Sequence, residues 1–456
     1  MYSDDDFDVT PYTGDLLEMR LSGSRRTDYM KQYLSDQGAT VILCENDYVD
    51  TDFLTDYCSY YARCFARQDR QCKRLHFFRG VTDDVVAKAV LDRDQAFWRD
   101  VAYGSPRKYL GFIVMRPFGI LGRTLLQTYD PVDRDGKRRY FPAAIANHPR
   151  SPNLFGVRLP VDSLEYQEQD GAVCACATVA LWCAARKLQS LFGFPRSYSP
   201  SEITQIACDV FPHPGRSYPS GGLNIYQIVG FLKKEGLEVE YLRTSDLDAS
   251  GRAEHLLTLV HAYLRFGIPI ICGLELKKAG AADQYHAVTM VGYKTPSDWG
   301  PGNRALSIGE FYVHDDQVGP FSRVNFASST PWIWQNHWTE TGEADECRLV
   351  HVLLPILPEV RQGIDSLYFE MKKPLAQQLL KDAASFEIFL VDVADYKSEL
   401  YLASKLTADD VLRRNLPRRL WVVRLYFPNG TRSDTLFDAT DHAPVQVYPG
   451  PVLFEK

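Results

Sequence analysis

The spacing of apolar and polar positions divides this chain into stretches of different character. Residues 1–15 are acidic and polar and predict a mobile N-terminus. From 16 to 153 helix-like and strand-like patterns mix. Phe53, Tyr57, Tyr60, Tyr61 and Phe65 recur at helical spacing, which predicts that residues 48–91 are mostly helical. Residues 109–115 and 123–129 carry the β-branched and aromatic runs of strands, split by Pro117-Phe-Gly-Ile-Leu-Gly122. Pro149-Arg-Ser-Pro-Asn153 gathers turn formers and predicts a domain boundary.

From 154 to 355 the pattern changes to a long helix, smaller helices and then strands. Residues 173–188 are apolar or small on nearly every face, as in a helix buried in the middle of a domain. Ser199-Pro-Ser-Glu202 carries an N-cap and a proline at the first helical position, so another helix starts there. Ser220-Gly-Gly222 introduces a helix over 224–235, and a third covers 256–266. Residues 268–276, 286–293 and 310–314 read as strands. The remainder, 356–456, offers an apolar stretch at 381–391, a helix at 407–415 and a strand at 420–426.

Composition narrows the class. The chain of 456 residues is long enough for two or three domains, with 45% hydrophobic and 24% charged residues, as in globular proteins. A net charge of -7 argues against a general nucleic-acid surface. No apolar run approaches the roughly 18 residues of a membrane span. The acidic N-terminus has neither the basic nor the apolar region of a signal peptide, which predicts a cytoplasmic chain. The ten scattered cysteines then read as free thiols.

The candidate chemistry starts at Cys174-Ala-Cys176, where the apolar helix begins. A cysteine in a first helical turn meets unsatisfied N–H groups and the positive end of the helix dipole, which favour the nucleophilic thiolate. His286 opens an apolar strand after the polar loop 280–284, well set to reach across a cleft. Asp315 and Asp316 follow the next strand, where a carboxylate can accept the imidazole N–H and hold its tautomer. Aspartate also caps turns, so one of the two can serve each purpose. Cys183 and the other cysteines read as core, as does His76. Arg116, Arg123 and Arg139 read as solvated or ion-paired. Cys174-x-Cys176 lacks the spacing of a zinc site, and no second pair follows, so no metal or other cofactor is expected.

Together these segments resemble the papain-like cysteine peptidases, closest to the bacterial bacteriocin leader-processing peptidases. Cys176-Ala-Thr-Val-Ala-Leu181 resembles that group's nucleophile helix, Gly221-Gly-Leu-Asn-Ile-Tyr its second helical element, and Gly267-Ile-Pro-Ile-Ile the strand before the histidine. His286-Ala-Val-Thr-Met-Val-Gly-Tyr293 resembles the histidine strand and Asp315-Asp-Gln-Val-Gly319 the acid turn. The resemblance covers about residues 165–325. It implies an α+β fold: a papain-like core over 154–355, made of a central helix and an antiparallel sheet. An N-terminal α/β region (16–153) and a small C-terminal α+β region (356–456) would flank it. It also implies a Cys–His–Asp triad of Cys176, His286 and Asp315, with Gln169 as side-chain oxyanion donor, acting on a protein or peptide substrate. Regulatory partners would dock on the flanking regions.

The sequence departs from the pattern in three respects. Gln169 lies seven residues before Cys176 and five before Cys174, against the family's six, so spacing does not choose between the thiols. The Ala180-Leu181 register favours Cys176, with Cys174 as the alternate. Ala177-Thr178 stands where Gly-Pro is usual, and Asp316 where proline follows the acid, so Asp316 is an alternate orienter. His314 is a lesser competitor for the base. Papain-like sites also catalyse acyl transfer, deamidation and isopeptide cleavage, since amine or water can resolve a thioester. A catalytically degraded binding or scaffold protein is the remaining alternative.

Overall fold

The computed structural model describes residues 2–3, 6–14, 25–65, 68–117, 120–193, 196–212, 216–248, 253–371, 380–402, 409–448 and 452–454. It is a mixed α+β protein organised around three larger sheets. The first is antiparallel and follows chain order: Tyr2–Ser3, Phe7–Pro11, Ala39–Tyr48, Cys72–Arg79, Tyr109–Met115 and Leu121–Leu126. The second, central sheet runs Glu238–Arg243, Glu346–Ile356, Ile270–Lys277, Gln284–Thr295, Glu310–Asp315 and Gly319–Asn325. The third contains Ser385–Asp392, Arg419–Tyr426 and Arg432–Asp438. None of the described helices is long and apolar enough to cross a membrane.

Both faces of the central sheet are covered, which explains why its strands read as nearly continuous apolar runs. The helix Cys176–Phe192 lies on one face, sharing a core with Ile271 and Leu353. Thr289 Oγ1 donates a 2.7 Å hydrogen bond to the Ala180 carbonyl and ties that helix to its strand. Helix Ala253–Phe266 covers the opposite face, packing with Cys272, Val288, Met290 and Val352 and with Trp421 of the third sheet. The alternation of 271 and 353 against 272 and 352 is the two-residue period of a strand. Helix Pro200–Val210 starts at a Ser199/Glu202 capping box and Ile225–Lys234 at an Asn224/Gln227 box.

Several sequence expectations need correction. Residues 48–91 are not mostly helical. Helix Thr51–Ser59 is capped by the Asp50 side chain, and a strand, Cys72–Arg79, precedes helix Asp83–Leu91. The helical spacing of the aromatics ends at Tyr61, and Phe65 is fully exposed. Beyond it Leu75, Phe77 and Phe78 serve a strand held between two neighbours. The expected strand 123–129 runs instead over Leu121–Leu126. Phe7–Pro11 is paired with Ala39–Tyr48 and buries Val9, so the acidic N-terminus is not uniformly loose. The expected helix at 407–415 is described only as Asp409–Arg413, and residues 403–408 lie outside the described residues.

The expected boundary at 153 does not coincide with a break in packing. Arg138–Tyr140 pairs with Tyr293–Thr295 of the central sheet. In the other direction Tyr166 bridges Thr124, and Glu168 N–H bonds the Leu121 carbonyl. One apolar cluster joins Leu110, Ile113 and Leu126 of the first sheet to Val291, Tyr312 and Phe321 of the second. The boundary near 355 is crossed as well: Gly302–Asn303 pairs in parallel with Ser385–Phe386.

Candidate active site

The approach to the central helix is set by one carboxylate. Asp170 Oδ1 accepts the backbone N–H groups of Ala172, Val173 and Cys174 at 2.9, 2.9 and 3.0 Å. Peptide donors must be paired when buried, and here an aspartate pairs three in succession. That turn delays the helix beyond the expected residue 173 to Cys176, with Ala175 as N-cap. The delay separates the two thiols. Cys174 is fully buried in the apolar core, and burial followed by the Asp170 charge pushes its thiol pKa well up. Cys176 is partly exposed and lines a cleft. Ala175 supplies no side-chain cap, so the first-turn N–H groups are left for other acceptors.

His286 is the third residue of its strand and is buried. Its Nε2 lies 2.9 Å from Asp315 Oδ1 and 3.6 Å from Asp316 Oδ1. The Cys176 thiol is near enough to act as a further partner of the ring. With Nε2 committed to the acid, Nδ1 is the nitrogen free to exchange a proton with sulfur. Burial works against the charged imidazolium, but the Asp315 carboxylate, its hydrogen bond and the thiol outweigh it and hold the His286 pKa well above the ordinary 6.5. Burial likewise disfavours the Asp315 anion, yet His286 and two further donors hold its pKa below the ordinary 3.8.

Those donors are the Trp338 indole Nε1, 2.9 Å from Oδ2, and the Gln317 backbone N–H, 3.0 Å from Oδ1. Trp338 also lays its ring against His286, with centroids 5.2 Å apart. It covers the ion pair and orients its acid. Sequence reasoning missed Trp338 because it belongs to a four-residue helix, His337–Glu340, too short for any periodic signal.

The structure thus brings Cys176, His286, Asp315 and Asp316 together and leaves Cys174 in the core. Gln169 is half-buried, does not line the cleft, and its amide makes no hydrogen bond among the described residues. His314 points elsewhere: its ring packs against Tyr166 and Phe321, and burial pushes its pKa down to about 3. Ligand atoms of His286, Asp315 and Asp316 all lie within 4.8 Å of one another, close enough to hold a metal ion. The Asp315 oxygens, however, already accept from Nε2, Trp338 and Gln317, which suits an orienting acid more than a ligand.

The cleft beside Cys176 and His286 has a volume of about 570 Å³. Leu223, Ile225, Ile228, Ile271, Leu274 and Leu353 give it an apolar lining. Gly222, at φ 96°, brings the chain past Ala175 in a conformation that favours glycine. At the rim Tyr226 and Tyr285 are largely exposed. His351 adds a polar group, its Nδ1 2.8 Å from the Tyr241 hydroxyl. No family model matches this chain, and no curated protein does.

Proposed function

We propose that the chain is a cysteine peptidase with a papain-like core and a Cys176–His286–Asp315 triad. The observation that carries this reading is the position of His286. Its Nε2 is bound to a buried carboxylate while its ring meets a thiol at the start of a buried helix. A long helix packed on an antiparallel sheet supports the papain-like core.

In the proposed reaction Cys176 Sγ attacks a carbonyl carbon of an extended peptide whose apolar side chains fill the cleft. His286 receives the thiol proton at Nδ1, and Asp315 stabilises the resulting imidazolium through Nε2. The uncapped N–H groups of the helix start, with the free amide of Gln169 swung toward them, donate hydrogen bonds to the developing oxyanion. His286 then gives its proton to the leaving amine as the C–N bond breaks, leaving a thioester on Cys176. Water, deprotonated by the same imidazole, hydrolyses it and releases the acid.

The test is labelling by a thiol-reactive peptide probe with an apolar side chain. Wild type is expected to label at Cys176, and Cys176→Ala to lose labelling while keeping its melting curve. Labelling that survives in Cys176→Ala and disappears in Cys174→Ala would move the nucleophile. Product masses with and without an added amine separate hydrolysis from acyl transfer. Activity that is lost on chelation and restored by a divalent metal would favour the metal reading instead.

A further inference from the structure

We propose that Arg116 and Tyr61, both outside the peptidase-like segment, are positioning residues for Cys176, acting through Asp170. The inference rests on Cys176 being the nucleophile. Arg116 follows the strand Tyr109–Met115 of the first sheet and is only 2% exposed. Its guanidinium lies between two carboxylates, 3.5 Å from Asp56 Oδ2 and 3.6 Å from Asp170 Oδ2. Its Nη2 donates to Gln167 Oε1 at 2.9 Å, and the Phe53 ring lies 5.3 Å from its central carbon. The Tyr61 hydroxyl donates to Asp170 Oδ2 at 2.8 Å.

The two oxygens of Asp170 therefore have separate tasks. Oδ2 is held from the N-terminal region by Tyr61 and Arg116, while Oδ1 collects three N–H groups of the turn. The carbonyls of the same turn are also paired. Ala172 accepts from Ser220 N–H at 2.7 Å, Val173 from Thr204 Oγ1 at 2.9 Å, and Cys174 from Gly171 N–H at 3.1 Å. With the peptide groups at 172–174 satisfied, the turn moves as one body with its anchoring carboxylate. Cys176 lies two residues beyond. A shift of Asp170 carries the thiol away from His286, and misplacement by about 1 Å can cost on the order of a hundredfold in rate.

A buried arginine between two acids would also be expected if it only balanced charge, so the test has to read the thiol itself. The full-length protein is alkylated with iodoacetamide across a pH series, and modification at each cysteine is followed by peptide mass analysis. Exposed Cys58 serves as internal control. Wild-type Cys176 should react well ahead of Cys58. Tyr61→Phe, which removes one hydroxyl, should slow Cys176 about tenfold and alter its pH profile, with Cys58 and the melting curve unchanged. Asp170→Asn should slow it further. Arg116→Lys should retain more reactivity than Arg116→Met, even if both lose stability. Tyr61→Phe and Asp170→Asn proteins that fold and alkylate at Cys176 with the wild-type rate and profile would overturn the positioning role alone. Wild-type Cys176 reacting no faster than Cys58 would overturn the peptidase reading and this inference with it.

Discussion

The two thiols at the head of the central helix differ by two residues in sequence and entirely in surroundings. One is enclosed in the core beside an aspartate; the other opens onto a cleft beside an imidazole. The same contrast of burial and partners sets a pH dependence. His286 is held well above its ordinary 6.5 by Asp315, so its ion pair contributes stability that is complete below that value. The contribution is lost as pH rises through the folded value. Asp315 is depressed below 3.8, so its share is present above 3.8 and lost as pH falls through the folded value. Asp315→Asn removes the largest attraction and leaves burial opposed only by the Cys176 thiol and the Asp316 charge. The alkaline limb of the rate profile for Cys176 labelling should then move toward acid by at least one pH unit, about 1.4 kcal/mol of lost interaction. The variant should also lose up to about 3–5 kcal/mol of stability near neutral pH, because the buried imidazolium loses its nearer carboxylate and keeps only Asp316 at 3.6 Å. An alkaline limb that stays where it was would mean that Asp315 does not govern His286.

Among the elements, the strand after the acid turn is closely constrained. Gly319 pairs directly with Asp315 across the ladder, and its α-carbon faces the Tyr29 ring. A Cβ at 319 would lie 2.2 Å from Tyr29 Cδ1, while the Tyr29 hydroxyl already bonds the Pro320 carbonyl at 2.6 Å. Gly319→Ala must displace the helix Arg25–Asp36 or the strand and should cost about 1–3 kcal/mol. Gly309→Ala, where a Cβ meets nothing within 4 Å, is the control. Equal thermal melts for the two variants would refute the close packing. The sequence revealed that a glycine stood four residues after the acid, but not why, because Tyr29 lies 290 positions away. The same limit runs through the other elements. Strands covered on both faces and capped helices are local patterns, and 270–277, 284–295 and 200–210 were legible within a few residues. The triad candidates were legible because each lies at or within two residues of an element end. The choice between Cys174 and Cys176 was not, since it turns on three N–H groups folding back onto Asp170. Trp338 was invisible for the opposite reason: its only signal is spatial.

For the whole molecule, the question is whether residues 154–355 can stand without the first 153. Triad chemistry needs no such addition, and the sequence read the flank as accessory. The packing argues that it is part of the folding unit. Removing it would uncover Val291, Tyr312 and Phe321, which now share a core with Leu110, Ile113 and Leu126. It would strip the strand Arg138–Tyr140 from Gln284–Thr295, the strand that carries His286. It would leave Asp170 without Tyr61 and Arg116, and buried Arg186 with Glu165 but without Asp52. Apolar exposure alone costs roughly 25 cal/mol per Å², and a half-stripped buried charge several kcal/mol more, against a net stability of about 5–15 kcal/mol for a typical protein. Residues 154–355 expressed alone should therefore lack a cooperative melt, bind a hydrophobic dye, and show Cys176 no more reactive than Cys58-type exposed thiols in the full chain. A 154–355 fragment that melts cooperatively and labels at Cys176 as the whole protein does would make the first sheet a detachable accessory after all, and would confine the work of Arg116 to tuning a site that assembles without it.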